Sequence, residues 1–179
     1  MRRRAAVGDG WHVGIVTVDA AETRAVLDVF GIAGGRRFHT GRMAVPGGVT
    51  YLVATPPAGP DGIGAALADL CARYDPPVVV RVAGDGSPDV VVGCGREPVE
   101  GALASFFAAA GEPATLPGFG GAAPFRVRRG PAEGGAVSRF CAHATTRTGK
   151  PLAWAVIRGV TVDAAQALRY LVPYLRPRL

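Results

Sequence analysis

Glu22 lies where an apolar strand pattern gives way to a helical pattern. Residues 13–18 form an apolar run typical of a buried strand, and from Ala21 onward the apolar residues recur at helical spacing. A carboxylate just beyond the carboxyl end of a buried strand can act as a general base on a water molecule. An acidic residue in a first helical turn also interacts favourably with the helix dipole without doing any chemistry. The sequence leaves both roles open for Glu22.

Two further predicted strands end beside residues suited to a ligand site. A β-branched run ends at Gly84, where a backbone without a side chain allows a close approach. The apolar run 151–160 carries Arg158 near its end and is followed by Thr161. Ligands of parallel sheets bind beyond the carboxyl ends of the strands. We therefore expect these residues to converge with Glu22 on one edge of a sheet.

Strands alternate with helices along most of the chain, which indicates an α/β fold. The predicted strands are 13–18, 49–54 with a short hairpin partner before the turn at 46–48, 78–84, a short one within 88–97, 125–130 and 151–160. The predicted helices span 20–30, 62–75, 98–110, 138–148 and 161–175, and 111–125 is predicted to be a loop. We expect three layers, with a mostly parallel or mixed central sheet and helices on both faces. A single domain over residues 13–179 follows an N-terminal tail at 1–12.

Several familiar chemistries have no matching motif. The glycines of residues 83–89, AGDGSPD, lack the spacing of a dinucleotide-binding loop, and no Walker-type phosphate loop is present. No serine lies in a Gly-x-Ser-x-Gly element. The histidines are scattered, and Cys141 with His143 does not complete a zinc site. The sequence therefore predicts neither a metal nor another cofactor.

The composition is that of a globular protein with a basic balance. Hydrophobic residues make up 49% and charged residues 19%, enough apolar material for a core in a chain of 179 residues. The net charge of +6 attracts polyanions, but no aromatic residues interleave with the arginines, so we expect no nucleic-acid partner. Three distant cysteines indicate a reducing compartment, and no apolar run approaches the roughly 20 residues of a membrane span. We expect a cytoplasmic protein that does not bind membranes.

The order of these segments resembles that of the nucleoside phosphorylase superfamily, in particular its branch of 5′-methylthioadenosine/S-adenosylhomocysteine nucleosidase-like domains. The resemblance covers most of the chain and is carried, in order, by VGIVTVDAAETRAVL, GPDGIGAALADLCARYDPPVVVRVAGDGSPDV, FRVRRGPAEGGAV and PLAWAVIRGVTVDAA. The first resembles the strand and helix that carry a catalytic Glu. The second resembles the glycine-rich turn that lines the base and ribose pocket, and the third the strand and turn that flank the purine. The fourth resembles a late strand whose Arg precedes a Ser-Asp pair.

The resemblance implies cleavage of the N-glycosidic bond of a purine nucleoside such as methylthioadenosine. In the family's hydrolases the Glu of the first helix activates water, and Glu22 falls on that position. The Asp of the Ser-Asp pair protonates N7 of the leaving purine. Here Thr161, a substrate-binding candidate, stands at the serine position, Val162 at the aspartate position and Asp163 one residue later. Asp163 is the candidate acid, through a local backbone shift, and capping of the last helix is its alternative role.

The resemblance also implies which residues hold the substrate. Ala83 and Gly84 would contact the base or ribose through their backbone, Ala136 and Val137 would flank the purine, and Arg158 would support the site. Structural alternatives are close backbone packing for Gly84 and pairing with a surface carboxylate for Arg158. The family's ribose-binding Met-Glu segment has no counterpart in this chain.

Three functions stay open. The first is a divergent nucleosidase or phosphorylase, with water favoured as the nucleophile because no phosphate-binding arginine set is recognisable. The second is a catalytically inactive module that binds a nucleoside or nucleotide for a partner protein, which Val162 and the missing ribose segment favour. The third is a structural remnant. Family relatives commonly form dimers, and a homodimer would cover an open sheet edge.

Overall fold

An eight-stranded mixed sheet runs through residues 11–131 and 135–175, the part of the chain that the computed structural model describes. The strands are β1 (Trp11–Val16), β2 (His39–Val45), β3 (Gly48–Ala54), β4 (Val78–Gly84), β5 (Val90–Cys94), β6 (Ala114–Leu116), β7 (Phe125–Arg129) and β8 (Ala153–Gly159). Their order across the sheet is β2-β3-β1-β4-β8-β5-β7-β6.

Parallel pairing dominates the centre of the sheet. Strands β3, β1, β4 and β8 pair in parallel, so their carboxyl ends share one edge. Strand β5 runs antiparallel to β8 and parallel to β7, while β2 and β6 are antiparallel partners of β3 and β7. In β4 the run from Val78 to Val80 is fully buried, as expected for a parallel strand covered on both faces.

Five helices of the described ranges cover the sheet: α1 (Ala20–Phe30), α2 (Ile63–Tyr74), α3 (Val99–Ala110), α4 (Ala136–Cys141) and α5 (Thr161–Leu171). Helices α1, α3 and α5 pack with Val80 and Ile157 on one side, which we call the first face. Helices α2 and α4 pack with Val79 and Val156 on the opposite side, the second face. Because neighbouring residues of a strand point to opposite faces, β4 and β8 contribute to both cores. The predicted three-layer α/β architecture is confirmed.

Local sequence explains how α1 begins and ends. Asp19 caps the helix, because its Oδ1 accepts a hydrogen bond of 2.8 Å from the Glu22 N–H. The helix ends at Gly31, whose φ of 64° is a left-handed conformation that glycine adopts without strain. Val26 and Val29 anchor the buried side of the helix in the first-face core. The turn after β1 therefore holds Glu22 in a fixed position at the start of α1.

The structure corrects two predictions in the second half of the chain. The segment 111–125, predicted to be a loop, contains β6 and a 3₁₀ turn at Phe119–Gly121. A strand of three residues is too short for a periodic pattern and is defined here by its pairing with β7. A helix is present near the predicted range 138–148, but its bounds are wrong, because α4 begins at Ala136 and ends at Cys141.

The two ends of the described chain also differ from the prediction. Strand β1 begins at Trp11 and ends at Val16, whereas the sequence indicated 13–18. Residues 1–10, most of the predicted tail, lie outside the described residues. Helix α5 ends at Leu171 and continues as a 3₁₀ turn at Val172–Tyr174, where a proline lacks the N–H of a further helical hydrogen bond. In the part of the chain that is described, no helix is both long enough and apolar enough to span a bilayer.

Candidate functional site

The carboxyl ends of β1, β4 and β8 bring three of the predicted site residues together. Glu22 lies in the first turn of α1, Gly84 ends β4, and Thr161 opens α5 after β8. The Gly84 N–H donates a hydrogen bond of 3.0 Å to Glu22 Oε2. A Cβ atom at Gly84 would lie 2.2 Å from Thr161 Oγ1, so a larger residue does not fit. The close backbone packing considered for Gly84 is therefore present, and it locks two strand ends against α1.

Four hydrogen bonds surround the carboxylate of Glu22, a residue that is only 4% exposed. Its Oε1 accepts from Val18 N at 2.8 Å and from Arg81 Nη1 at 2.5 Å. Its Oε2 accepts from Gly84 N at 3.0 Å and from Arg81 Nη2 at 3.3 Å. A carboxylate offers about four acceptor positions. These contacts use all of them, and none is left for a water molecule that Glu22 would activate.

The same contacts keep Glu22 ionised. Burial acts to raise the pKa of Glu22, but hydrogen bonds from Arg81, Val18 and Gly84, together with the charge of Arg81, outweigh it. The pKa therefore lies below the usual value of a glutamic acid. A carboxylate with a lowered pKa is a weaker base near neutral pH. In this structure Glu22 is an ion-pair partner with little capacity to take a proton.

Arg81 is the residue of this edge that sequence reasoning missed. It lies on β4 in register with Val16 and Val156, whose side chains belong to the second-face core. Its guanidinium reaches the strand ends, where it contacts Glu22 and donates to the Val82 carbonyl. The Arg81 and Glu22 side chains are 14% and 5% exposed. The sequence feature that could have revealed Arg81 is its place inside an otherwise apolar central strand. A charge in such a strand requires a buried partner.

Asp163 is half-buried in the first turn of α5, two residues after Thr161. Burial raises the pKa of Asp163 above its usual value. The capping role considered for Asp163 is wrong, because Val160 occupies the N-cap position and no side chain caps this helix. Val162, at the family's aspartate position, packs against the first-face core. In the first turn of α5, Asp163 is therefore the side chain that can exchange a proton.

The other predicted substrate-binding residues lie on the second face or at its border. Arg158 and Ala83 are register partners on β8 and β4, and both are half-buried. Ala136 and Val137 open α4 on the second face, and Val137 is 1% exposed inside that core. The Val137 side chain is therefore engaged in packing. A contact of Ala136 and Val137 with a purine stays a prediction.

Of the cysteines in the described ranges, Cys141 is buried and Cys71 and Cys94 are half-buried, and burial raises the pKa of all three thiols. Burial, with a contribution from Asp75, raises the pKa of Cys71 to about 11. Burial is also the main cause that raises the pKa of Cys141 to about 12. A protonated thiol is a poor metal ligand. Within residues 11–131 and 135–175, no group of three His, Cys, Asp or Glu residues is arranged to hold a metal ion.

Two comparisons of the sequence gave no match. No protein-family model matches it. No curated protein matches it either.

Solved structures, in contrast, match the fold over nearly the whole chain. A mutant of the 5′-methylthioadenosine nucleosidase (MTAN) of Helicobacter pylori, with 5′-methylthioadenosine in its active site, has a TM-score of 0.62 at 11% identity, covering 91% of this chain and 98% of the other. The S-adenosylhomocysteine nucleosidase of Streptococcus pyogenes, in complex with 5-methylthiotubericidin, has a TM-score of 0.59 at 13% identity, with 94% and 99% covered. Futalosine hydrolase of Helicobacter pylori has a TM-score of 0.58 at 12% identity, with 90% and 97% covered.

Identities of this size establish similarity of fold. The structure agrees with what the sequence resemblance implied in three respects. These are the order of the elements along the chain, the helix that carries Glu22 and the arrangement of the layers. The resemblance is confirmed at that level: the chain has the fold of the nucleoside phosphorylase superfamily, in the form shared by these nucleosidases.

Proposed function

We propose that the carboxyl edge of β1, β4 and β8 binds a purine nucleoside of the methylthioadenosine type and does not cleave its N-glycosidic bond. The fold supports binding, because two structures of the same fold contain 5′-methylthioadenosine or 5-methylthiotubericidin. The observation that carries the proposal is the carboxylate of Glu22, whose acceptor positions are filled by Val18, Arg81 and Gly84. The protein would then report the presence of a nucleoside to a partner.

Hydrolysis of this bond requires a base for the attacking water and an acid for the departing purine. Glu22 could serve as the base only after it released Arg81, which would leave a buried guanidinium without its partner. Breaking a buried ion pair costs about 3–5 kcal/mol. Such a cost, added to the barrier of the chemical step, lowers the rate by roughly 10²–10⁴-fold. Val162 offers no proton at the family's acid position.

A slow nucleosidase is the second candidate, and Asp163 favours it. Burial raises the pKa of Asp163, and a raised pKa suits a carboxyl group that must donate a proton to a purine. In this candidate mechanism Glu22 exchanges Arg81 for a water molecule, activates it for attack at the anomeric carbon, and Asp163 protonates the leaving base.

Ligand-induced stabilisation and product analysis separate the two candidates. The purified chain is heated with 5′-methylthioadenosine, adenosine or neither, and the same mixtures are analysed for free adenine by chromatography. At 100 times the dissociation constant, a ligand adds about 2.7 kcal/mol to the free energy of unfolding. We expect a rise of several degrees in Tm with no adenine above the background of protein-free samples.

Glu22→Gln is the decisive variant, and Asp69→Asn is its matched control because it removes one carboxylate from the exposed Arg37–Asp69 pair. Adenine released by the wild type and by Asp69→Asn, but not by Glu22→Gln, would establish the nucleosidase. The absence of stabilisation by any nucleoside at millimolar concentration would refute both candidates. A homodimer and a cytoplasmic location stay predictions.

A further inference from the structure

A cavity of about 410 Å³ lies on the first face, between α1 and the segments that precede β2 and follow β3. Its volume falls within the range of about 300–1,000 Å³ that is usual for small-molecule sites. Neither Glu22 nor any of its hydrogen-bond donors lines it, so the cavity is separate from the proposed nucleoside site. The lining includes Arg24, Leu27 and Asp28 of α1, Ile32 after that helix, His39 at the start of β2 and Pro57 after β3.

His39 is only 9% exposed and offers one unpaired ring nitrogen to the cavity. Its Nδ1 accepts a hydrogen bond of 2.8 Å from the Gly35 N–H, so in the neutral ring the proton is on Nε2. Gly34 lies against the Nδ1–Cε1 side, because a Cβ there would be 3.9 Å and 4.0 Å from these two atoms. The opposite side of the ring, with Nε2, therefore faces the cavity. Within residues 11–131 and 135–175 no group pairs with Nε2, which leaves its N–H for a ligand oxygen.

Two opposite charges, Arg24 and Asp28, stand one helical turn apart on the exposed side of the cavity. Their Cβ atoms are about 5–6 Å apart by helix geometry. Even so, neither side chain forms an ion pair within the described ranges. A basic residue before an acidic one is the weaker order for such a pair, and a carboxylate in the last turn opposes the helix dipole. These two charges therefore add little to the stability of α1 and are available to a ligand.

The apolar part of the cavity is held in place by backbone hydrogen bonds. Pro57 precedes Ala58, whose N–H donates to the Thr17 carbonyl at 2.9 Å. The Ile32 N–H donates to the Leu27 carbonyl, also at 2.9 Å, and fixes the chain where it leaves α1. Three apolar side chains, those of Leu27, Ile32 and Pro57, thus form a surface that exists before any ligand binds. Such preorganisation lowers the entropic cost of binding.

We propose that this cavity binds a free α-amino acid with an apolar side chain. The ligand carboxylate pairs with Arg24 and accepts the N–H of His39 Nε2. The ligand ammonium group pairs with Asp28, and the apolar side chain packs against Leu27 and Pro57. A zwitterion matches both charged side chains at once, because its two charges are separated by a single carbon atom. A simple carboxylate or a simple amine would meet one attractive and one repulsive charge.

Calorimetric titration of the full chain at pH 7 and one ionic strength tests this inference with three probes of the same shape. The probes are L-leucine, L-leucinamide, which lacks the carboxylate, and 4-methylpentanoate, which lacks the ammonium group. We expect L-leucine to bind at least tenfold more tightly than either analogue, because only L-leucine satisfies both charges.

Substitutions on α1 assign the two charges to the ligand groups. Asp28→Asn should weaken binding of L-leucine at least fivefold without weakening that of 4-methylpentanoate, which has no ammonium group. Arg24→Gln should weaken binding of both. Asp69→Asn is the matched control, because Asp69 is an exposed carboxylate of α2 outside this cavity, and it should leave all three affinities unchanged. The substituted side chains are exposed, so each variant should keep a melting temperature near that of the wild type.

The outcomes bear on this cavity alone. Equal affinities for L-leucine and 4-methylpentanoate would show a plain carboxylate site and overturn the amino-acid ligand. Equal effects of Asp28→Asn and Asp69→Asn, or no binding of L-leucine at millimolar concentration, would also overturn it. None of the probes contains a purine or a sugar, so a failure here leaves the proposed nucleoside site in place. A failure of nucleoside binding likewise leaves the amino-acid site in place.

Discussion

At the β1–β4 half of the carboxyl edge a carboxylate and a guanidinium meet inside the protein, whereas at the β5–β7 half Arg126 and Arg128 are exposed to solvent. Glu22 and Arg81 are nearly buried and form an ion pair with each other. Arg126 is more than half exposed, and its partner Asp89 lies at 3.4 Å. Both halves belong to one sheet and face one candidate ligand site. The charges of the first half stabilise the interior, whereas the Arg126–Asp89 pair of the second half is partly exposed to solvent.

The two ion pairs differ in burial, and burial decides how much each contributes to stability. A buried ion pair is costly to break because one charge is left without water or a partner. An exposed arginine can be removed at little cost to folding, because its interactions are screened by solvent. Substitutions in the first half should therefore lower the free energy of unfolding substantially, and substitutions of exposed arginines in the second half should lower it little.

Arg81→Met gives the largest expected effect. It leaves the Glu22 carboxylate buried without its cation, and we expect the free energy of unfolding to fall by about 3–5 kcal/mol. Urea denaturation measures the loss. The control Arg37→Met breaks an exposed pair, so it should cost less than about 1 kcal/mol. The double variant Arg81→Met/Glu22→Gln should recover much of the lost stability. Similar losses in Arg81→Met and Arg37→Met would contradict the account, because the buried pair would then contribute no more to stability than the exposed pair.

Acid should weaken the first half of the edge selectively. The pKa of Glu22 is lowered in the folded protein, so its stabilising contribution is complete above the unfolded value of about 4.3 and is lost as pH falls through the folded pKa. Thermal unfolding of wild type and Glu22→Gln between pH 7 and pH 3 measures this contribution. The wild type should be the more stable at pH 7, and its advantage should shrink in acid. An advantage that stays constant over this range would show that the pKa is not lowered.

Gly84→Ala should cost about 1–3 kcal/mol, because the added Cβ would lie 2.2 Å from Thr161 Oγ1. Adding Thr161→Ala removes that oxygen and should recover part of the loss. Gly64→Ala is the control, because a Cβ at that position of α2 meets no atom within 4 Å and alanine favours the helix. Chemical denaturation of all four chains gives the comparison. An unchanged free energy of unfolding in Gly84→Ala would contradict close packing between Gly84 and Thr161.

Asp163→Asn is the smallest expected effect. Burial raises the pKa of Asp163, so the charged form is disfavoured in the folded state at pH 7. Replacing the carboxylate by an amide should raise the free energy of unfolding by less than about 1 kcal/mol. The gain should shrink as pH falls through the folded pKa of Asp163 and vanish below the unfolded value of about 3.9, where the carboxyl group is protonated in both states. A loss of stability at pH 7 would indicate a favourable contact made by the carboxylate.

The layer order and the position of Glu22 could be predicted because they depend on local patterns. The change of period around Ala21 marks the end of a strand and the start of a helix, and the apolar run ending at Gly84 marks a central strand. The pairing of Arg81 with Glu22 could not be predicted, because 59 residues separate them and only the folded sheet brings them together. Strand β6 was missed for a related reason, since its pairing with β7 defines it.

The chemical interpretation depends on the same long-range contacts. A glutamate at the start of a helix is compatible with a catalytic base and with a structural anion. The number of donors around it decides between them, and two of the four come from one side chain on β4. The register that places Arg128 and Arg158 on either side of Val91 has a similar origin, because only the folded sheet defines it.

Titration of Glu22 by NMR tests the central claim most directly. The carboxyl carbons of glutamate are labelled with ¹³C, the resonance of Glu22 is identified by its absence in Glu22→Gln, and its shift is followed with pH, with and without saturating 5′-methylthioadenosine. We predict a midpoint below the usual glutamate value of about 4.3 that stays low when the nucleoside binds. A midpoint near neutrality in the bound protein would show that the carboxylate leaves Arg81 and serves as a base, which would contradict the account.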